Sequence, residues 1–185
     1  MEEIKSLYLH IPFCMQICSY CDFCKMFYNE KMVNDYLEEL GKEVEKEYQN
    51  DILKTIYIGG GTPSSLKLYQ LDKLFSITNK LNIEDNYEFT FECNISDINI
   101  DLLEKLKQNK VNRISIGIET INEKFYSLIN RYNNKEDIIQ KINLTKKYFN
   151  NINIDLMYGF PNETKEDLEN DLNFFKELEV PHISI

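Results

Sequence analysis

Positive charge is scarce in this sequence, and no long hydrophobic run is present. The 185 residues include 21 Lys and Arg against 31 Asp and Glu, which gives a net charge of −10. Nucleic-acid binders carry a basic patch or stripe, so we expect no nucleic-acid partner. No stretch approaches the roughly 18 apolar residues of a membrane span, and the N-terminus lacks the basic-then-apolar layout of a signal peptide. The sequence therefore predicts a cytoplasmic protein without a membrane span.

Glycine and proline are also sparse, with six and four residues respectively, and no repeat or low-complexity tract occurs. With 43% hydrophobic residues, this composition excludes a disordered or fibrous chain. No Pro/Gly/Ser-rich linker marks a second domain, so we expect one domain over residues 1–185. The last predicted strand reaches Ile185 without the helix that would cover its outer face, so we expect this domain to be incomplete.

Runs of β-branched and aromatic residues alternate with segments of helical periodicity. Asp101 is a predicted N-cap, and Thr164 with Asp167 predicts a capping box. The alternation predicts right-handed crossovers and a parallel sheet, either doubly wound or curled into a full or partial barrel. Both architectures place ligands at the carboxyl ends of the strands. The six predicted strands are residues 6–12, 55–59, 87–93, 113–120, 151–159 and 182–185.

Four of the five cysteines lie within eleven residues after the first predicted strand. The spacing C-x3-C-x2-C of Cys14, Cys18 and Cys21 suits an iron–sulfur cluster better than zinc, because no second cysteine pair follows downstream. With three ligands a [4Fe–4S] cluster keeps one open iron, whereas Cys24 as a fourth ligand would close it. Inert thiols are the remaining alternative, and Cys93 is expected to be a buried small hydrophobe.

A glycine-rich turn, Gly59-Gly60-Gly61-Thr62-Pro63, follows the second predicted strand. Glycines there allow backbone N–H groups to face a ligand, so we expect a cradle for a carboxylate or an amine. A plain tight turn is the alternative, since the dinucleotide spacing G-x-G-x-x-G is absent.

Several motifs, in order and at strand ends, carry a family resemblance. The sequence resembles the radical S-adenosylmethionine (SAM) enzymes, specifically the oxygen-independent coproporphyrinogen III oxidase-like family, from residue 6 to its end. The matching segments are residues 8–14 (YLHIPFC), 18–23 (CSYCDF), 59–63 (GGGTP), 91–92 (FE), 113–117 (RISIG) and 154–161 (IDLMYGFP).

The resemblance implies an α/β fold, a partial (β/α)6 barrel of parallel strands, with the sequence ending at strand six and the family's C-terminal domain absent. It implies a [4Fe–4S] cluster held by Cys14, Cys18 and Cys21, with SAM on the open iron through its amino and carboxylate groups. After one-electron reduction, such a site would cleave the sulfonium and form a 5′-deoxyadenosyl radical.

The resemblance also implies nine cofactor-site residues. The family commonly has Gln where this sequence has Glu119, and a second carboxylate beside Asp155 is expected to raise one pKa or weaken binding. The nine are Tyr8 and Tyr20 beside the cluster and cofactor, Gly60, Gly61 and Thr62 at the methionine amino end, Glu92 and Arg131 in the cofactor site, and Glu119 and Asp155 near the ribose hydroxyls.

Structural roles are the alternatives for some of these residues. Arg131 is also well placed to complement a helix C-terminus, and Tyr8 to lie in an ordinary core. His10 and His182 are expected to be structural, and we expect no catalytic residue beyond the cofactor site.

The motif after the third cluster cysteine indicates the branch of the family. Members that decarboxylate coproporphyrinogen have cysteine where this sequence has Phe23, so Cys-Ser-Tyr-Cys-Asp-Phe resembles the haem chaperone branch instead. That branch implies haem as a further ligand, a tetrapyrrole partner and an electron donor such as flavodoxin or ferredoxin. The alternatives are the oxidase itself, a non-catalytic haem carrier, and a ferredoxin-like electron carrier in which Cys24 closes the cluster.

Overall fold

Six parallel strands form the main sheet of the computed structural model, which describes residues 4–132 and 134–185. The predicted domain, residues 1–185, includes residues 1–3 and 133, which lie outside the described part. In chain order the strands are β1 (Ser6–Ile11), β2 (Phe13–Cys14), β3 (Met26–Phe27), β4 (Leu53–Gly60), β5 (Ile83–Asn94), β6 (Arg113–Glu119), β7 (Asn151–Leu156) and β8 (His182–Ser184). The helices are α1 (Glu30–Glu47), α2 (Leu68–Thr78), α3 (Ile100–Gln108), α4 (Glu123–Ile129), α5 (Lys135–Lys146) and α6 (Lys165–Glu177).

The order of the strands in the sheet follows the order of the chain, β1-β4-β5-β6-β7-β8, and every pair is parallel. A doubly wound sheet reverses its strand order at one point, and this sheet does not. Successive crossovers of one hand therefore put the helices on one face, and α1 packs on α2 and α2 on α3. The predicted α/β partial barrel with parallel strands is confirmed.

Alternate residues along the strands have opposite character. On β6, Ile114, Ile116 and Ile118 are fully buried and point toward the helices. Their neighbours Arg113 and Ser115 line a cavity on the opposite face. The outer face of the sheet therefore forms the hydrophobic core, and the inner face is polar.

Helix caps agree with the sequence at α6 and differ at α3. At α6 the hydroxyl of Thr164 donates to Asp167 at 2.6 Å, and the Asp167 carboxylate accepts from the Thr164 N–H at 2.8 Å. The prediction that Asp101 caps α3 is wrong. Asn99 is the cap, with its side chain accepting from the Leu102 N–H at 2.9 Å. Asp101 lies in the first turn, where the helix dipole favours its charge.

The short parallel pair of β2 and β3 was not evident from the sequence, because two-residue strands have no periodicity to detect. Phe13 pairs with Met26, and Cys14 pairs with Phe27. Both ends of the segment that holds the cysteines are thereby joined beside the carboxyl end of β1. Among the described residues, no helix has the length and apolar character needed to cross a bilayer.

Candidate functional site

A cavity of about 510 Å³ opens on the inner face of the sheet at the carboxyl ends of the strands. This is the location that a parallel barrel offers to a ligand. Of the predicted site residues, only Tyr8 is not part of its lining. The predicted residues that line the cavity are Cys14, Cys18, Cys21, Tyr20, Gly60, Gly61, Thr62, Glu92, Glu119, Arg131 and Asp155.

The cysteine loop, residues 15–25, connects β2 to β3 and is closed by backbone hydrogen bonds. The Met26 N–H donates to the Pro12 carbonyl at 2.7 Å, and the Tyr28 N–H donates to the Cys14 carbonyl at 2.9 Å. These bonds fix where the loop leaves and rejoins the sheet. Cys18 and Cys21 are therefore presented to the cavity from a tethered loop, and Cys14 from the strand that precedes it.

The end of α4 holds the middle of the cysteine loop. Asn130 has a left-handed backbone, its side chain donates to the Ile17 carbonyl at 3.0 Å, and its own carbonyl accepts from Gln16 at 2.7 Å. The Ser19 hydroxyl donates to the Leu128 carbonyl. Sequence reasoning missed these residues, because contacts between segments more than 100 residues apart leave no local signal.

The cysteines differ in their surroundings. Cys14 is buried, and burial raises the pKa of its thiol, while a hydrogen bond from Thr62 opposes this shift. Cys18 accepts a hydrogen bond from Arg131 Nε at 3.2 Å. Cys24 is exposed and lies outside the cavity lining. Cys93 is buried in the core, as expected, and burial raises the pKa of its thiol well above the usual value.

The donor set suits an iron–sulfur cluster, because thiolates are the usual ligands of such a cluster. Within the described ranges, no three His, Cys, Asp or Glu side chains converge as they would on a single metal ion. In a cubane each thiolate binds a different iron, so its ligands are spread around the cluster. Thiolate donors on one loop beside an open cavity fit a [4Fe–4S] cluster, with room next to it for a further ligand.

Glu92 is held at the end of β5 by two hydrogen bonds. The Tyr57 hydroxyl donates to one carboxylate oxygen at 2.5 Å, and the Gly60 N–H donates to the other at 3.0 Å. Burial, together with the negative charge of Glu92, raises the pKa of Tyr57, so this phenol stays protonated as a donor. Glu92 therefore presents a fixed carboxylate to the cavity.

The glycine turn does not form the expected carboxylate cradle. Its N–H groups are used within the protein: Gly60 donates to Glu92, Gly61 to the Ile11 carbonyl at 2.8 Å, and Thr62 to the Phe13 carbonyl at 2.8 Å. A ligand that meets this backbone must meet carbonyl oxygens, which accept hydrogen bonds from an amine and repel a carboxylate. The amine half of the expectation stays a prediction.

Asp155 is oriented by a polar network on the inner face of β7. The side-chain amide of Asn153 donates to Asp155 Oδ1 at 2.8 Å and to the Ser115 hydroxyl at 2.9 Å. The side-chain amide oxygen of Asn153, Oδ1, accepts from the Ser184 hydroxyl on β8 at 3.0 Å. Sequence reasoning missed Asn153, Ser115 and Ser184, although the period-two pattern places all three on the face of Asp155.

Glu119 and Arg131 form a buried ion pair, with 3.6 Å between the Glu119 carboxylate and Arg131 Nη2. Burial raises the pKa of Glu119, which Arg131 opposes. Burial would lower the pKa of Arg131, but Glu119, Tyr20 and Cys18 outweigh it and raise the pKa. Tyr20 donates a hydrogen bond to Glu119, and burial followed by the charge of Glu119 raises the pKa of its phenol.

Tyr8 and His10 lie on the inner face of β1, beside the cavity. The ring of Tyr8 stacks on Tyr57 with 5.8 Å between centroids, and its side chain is half exposed. His10 Nε2 lies 2.7 Å from the Cys24 carbonyl, and Nδ1 lies 2.9 Å from the Tyr8 hydroxyl. Because a carbonyl only accepts, the neutral ring carries its proton on Nε2 and accepts from Tyr8 at Nδ1.

The partial barrel, the cysteine loop and the polar cavity at the strand ends together form the arrangement that the resemblance to radical SAM enzymes implied. The profile of the Radical SAM superfamily matches residues 8–175, and the chain belongs to this superfamily. Membership implies a [4Fe–4S] cluster and SAM.

Curated relatives include two haem chaperones and one oxidase. The chain is 38% identical to the haem chaperone HemW of Lactococcus lactis, over 100% of this chain and 49% of that protein. It is 39% identical to HemW of Bacillus subtilis, over 98% of this chain and 50% of that protein. It is 30% identical to the oxygen-independent coproporphyrinogen III oxidase of Salmonella typhimurium, over 100% of this chain and 42% of that protein. The chain thus spans about half the length of the curated relatives it matches.

Among solved structures, coproporphyrinogen III oxidase (HemN) from Escherichia coli matches with a TM-score of 0.89 and 28% identity. This match covers 99% of the chain and 44% of the oxidase. The structure of native anSMEcpe with bound AdoMet shares the fold at a TM-score of 0.62 and 19% identity, over 97% of this chain and 50% of that one.

Proposed function

We propose that residues 1–185 are the cluster- and SAM-binding core domain of a haem chaperone-type radical SAM protein. The observation that carries the proposal is one cavity at the carboxyl end of the sheet. It is lined both by Cys14, Cys18 and Cys21 and by the carboxylate, arginine and glycine-turn residues of the proposed SAM site. In this proposal Cys14, Cys18 and Cys21 hold a [4Fe–4S] cluster with one open iron. The exposure of Cys24 outside the cavity lining supports three ligands rather than four.

The remaining cavity residues suit the parts of SAM. Carbonyl oxygens of Gly60 and Gly61 suit the methionine amino group, because their N–H groups are already bonded within the protein. Arg131 suits the methionine carboxylate, and Asp155 suits the ribose hydroxyls. When bound, the reduced cluster and SAM supply one-electron cleavage of the sulfonium. The other proposed contacts are Tyr8, Tyr20, Thr62, Glu92 and Glu119.

The similarity to HemW proteins supports a haem partner over coproporphyrinogen. The relatives named as haem chaperones include six that are 32–39% identical, and two oxidase relatives are 30% identical. Phe23 stands where the decarboxylating members have a further cysteine. We propose haem as the tetrapyrrole and flavodoxin or ferredoxin as the electron donor. Oxidation of coproporphyrinogen III is the second candidate activity.

Cluster assembly in single cysteine variants tests the proposed ligand set. After anaerobic incubation with iron and sulfide, the unaltered chain should contain the iron and sulfide of one [4Fe–4S] cluster. Cys14→Ser, Cys18→Ser and Cys21→Ser should each lose it, whereas Cys24→Ser and Cys93→Ser should retain it. Loss of the cluster in Cys24→Ser would instead support the closed, ferredoxin-like site.

Haem titration separates the proposed tetrapyrrole partners. The full-length gene product, with its cluster in place, should show saturable haem binding and should not convert coproporphyrinogen III to the divinyl product under reducing, anaerobic conditions with SAM. Turnover of coproporphyrinogen III would establish the oxidase. Haem binding without any deoxyadenosine would favour a non-catalytic carrier.

A further inference from the structure

One guanidinium group joins the sheet to the cysteine loop. Arg131 donates from Nε to the Cys18 sulfur at 3.2 Å and from Nη1 to the Gly117 carbonyl at 3.0 Å. Its Nη2 faces the Glu119 carboxylate at 3.6 Å. The nitrogens of Arg131 thus have three different partners, and one of these is the sulfur of a proposed cluster ligand.

Glu119 is fixed independently of Arg131. It has a left-handed backbone with φ of +72°, which is unusual for a residue other than glycine, and it is only 7% exposed. The Tyr20 hydroxyl donates to its carboxylate from the cysteine loop. Gly117 leaves room for the pair, since a Cβ there would lie 2.8 Å from Glu119 Oε1 and 3.2 Å from Arg131 Nη1.

The position of this pair beside Cys18 has an electrostatic consequence for any cluster bound there. Reduction adds one negative charge to the cluster, and a buried charge nearby is poorly screened. A positive group that donates a hydrogen bond to a ligand sulfur stabilises the reduced form, and a negative group opposes it.

We propose that the Arg131–Glu119 pair sets the reduction potential of the cluster through Cys18. Arg131 raises the potential by its charge and by the hydrogen bond to sulfur. Glu119 lowers it by charge and also fixes the direction in which Arg131 points. Both are positioning residues in this role. The proposal rests on the cluster of the proposed function and deepens it by naming a determinant of its potential.

Reduction potentials of reconstituted variants, measured without SAM, test the proposal. Arg131→Met removes the charge and the donor while keeping an unbranched side chain. Glu119→Gln removes only the charge, because the amide oxygen still accepts from Tyr20 and still faces Arg131 Nη2. The control Glu166→Gln removes the same charge from an exposed position on α6, outside the cavity lining.

Anaerobic redox titrations followed by electron paramagnetic resonance should give opposite shifts. Relative to the unaltered chain, we expect a more negative potential for Arg131→Met, a less negative potential for Glu119→Gln, and no change for Glu166→Gln. General loosening of the site would move the Arg131 and Glu119 variants in the same direction or reduce their cluster content. Opposite shifts are therefore specific to charge.

Unchanged potentials, or shifts of one sign in both variants, would overturn the proposal. If Arg131→Met assembles no cluster, Glu119→Gln decides alone, and a null or negative shift in it overturns the proposal. Absence of a cluster in the unaltered chain would contradict the proposed function itself. The iron and sulfide content distinguishes that failure from a failure of this inference alone.

Discussion

At the scale of single residues, the site combines side chains that carry chemistry with side chains that hold them in place. Cysteines and carboxylates at strand ends, and the arginine that follows α4, are visible in a sequence because their chemistry is distinctive. Asn153, His10 and Asn130 are not distinctive, and their roles arise from hydrogen bonds to residues that sequence motifs do identify. The chemistry of the candidate site was therefore predictable, and its supporting contacts were not.

His10 is predicted to stabilise the cysteine loop through its bond to the Cys24 carbonyl. The His10 ring packs against Gly60, where the backbone has φ of +115°. A Cβ at this position would lie 2.5 Å from the ring, so the close approach requires glycine. His10→Leu should lose a hydrogen bond of about 1 kcal/mol, which corresponds to roughly five-fold faster loss of a reconstituted cluster in air. Visible absorbance over time measures this rate.

His182→Leu is the matched control for that measurement. His182 lies on β8, is exposed, and contacts Arg113 at 3.4 Å rather than the cysteine loop. The rate of cluster loss should stay unchanged in this variant. Equal rates for both histidine variants would show that His10 does not secure the loop.

Asn153 is predicted to set the affinity for SAM by orienting Asp155. Asn153→Val removes the donor that orients Asp155, a hydrogen bond to a charged group of about 1.5–3 kcal/mol, so SAM should bind roughly 10- to 100-fold more weakly. Calorimetric titration of the cluster-loaded chain measures this. Asn151→Val, at an exposed position two residues earlier on the same face, should bind as the unaltered chain does; equal weakening in both variants would refute the orienting role.

At the scale of elements, β6 and α6 are joined by a buried carboxylate. Asp171 on α6 accepts from the Thr120 hydroxyl at 2.6 Å and from the Ile121 N–H at 2.9 Å. Thr120 and Ile121 form the turn that directly follows Glu119. The contact with Asp171 therefore fixes the end of β6, where Glu119 meets Arg131. The strands were predicted from runs of β-branched and aromatic residues, whereas the turn depends on a partner 50 residues away.

Removal of the Asp171 carboxylate should destabilise the fold. Asp171→Ala leaves the Thr120 hydroxyl and the Ile121 N–H buried without their acceptor, at a cost of about 1–3 kcal/mol each. Urea denaturation should show that the free energy of unfolding falls by an amount of this order of magnitude. A variant as stable as the unaltered chain would contradict the assigned role.

The same carboxyl should make stability depend on pH. Burial raises the pKa of Asp171 above its ordinary value of 3.8; the Glu163 charge adds to this, whereas Thr120, Ile121 and Lys135 oppose it. Just above pH 3.8 the Asp171 carboxyl is therefore protonated in the folded chain and ionised in the unfolded chain. This difference in proton binding stabilises the folded chain at low pH, and the stabilisation is lost as pH rises through the raised pKa. In a denaturation series from about pH 4 to about pH 7, the free energy of unfolding of Asp171→Asn should lack the decline that this carboxyl causes in the unaltered chain. Parallel pH profiles for both proteins would argue against it.

At the scale of the whole molecule, the architecture follows from alternation. Helices and strands that alternate predict a parallel sheet with ligands at the carboxyl ends of its strands. The sequence left a doubly wound sheet and a barrel open, and the unreversed strand order decided between them. That order depends on which strands pair, which no local pattern encodes.

In the proposed site, a single cavity holds both a three-cysteine cluster and SAM. The most direct test is the electron paramagnetic resonance spectrum of the reconstituted, reduced chain before and after SAM is added. We predict a [4Fe–4S]+ signal whose g-values shift on addition of SAM, because the cofactor binds the open iron. A cluster signal unchanged by SAM would contradict the claim and indicate a closed, fully ligated cluster.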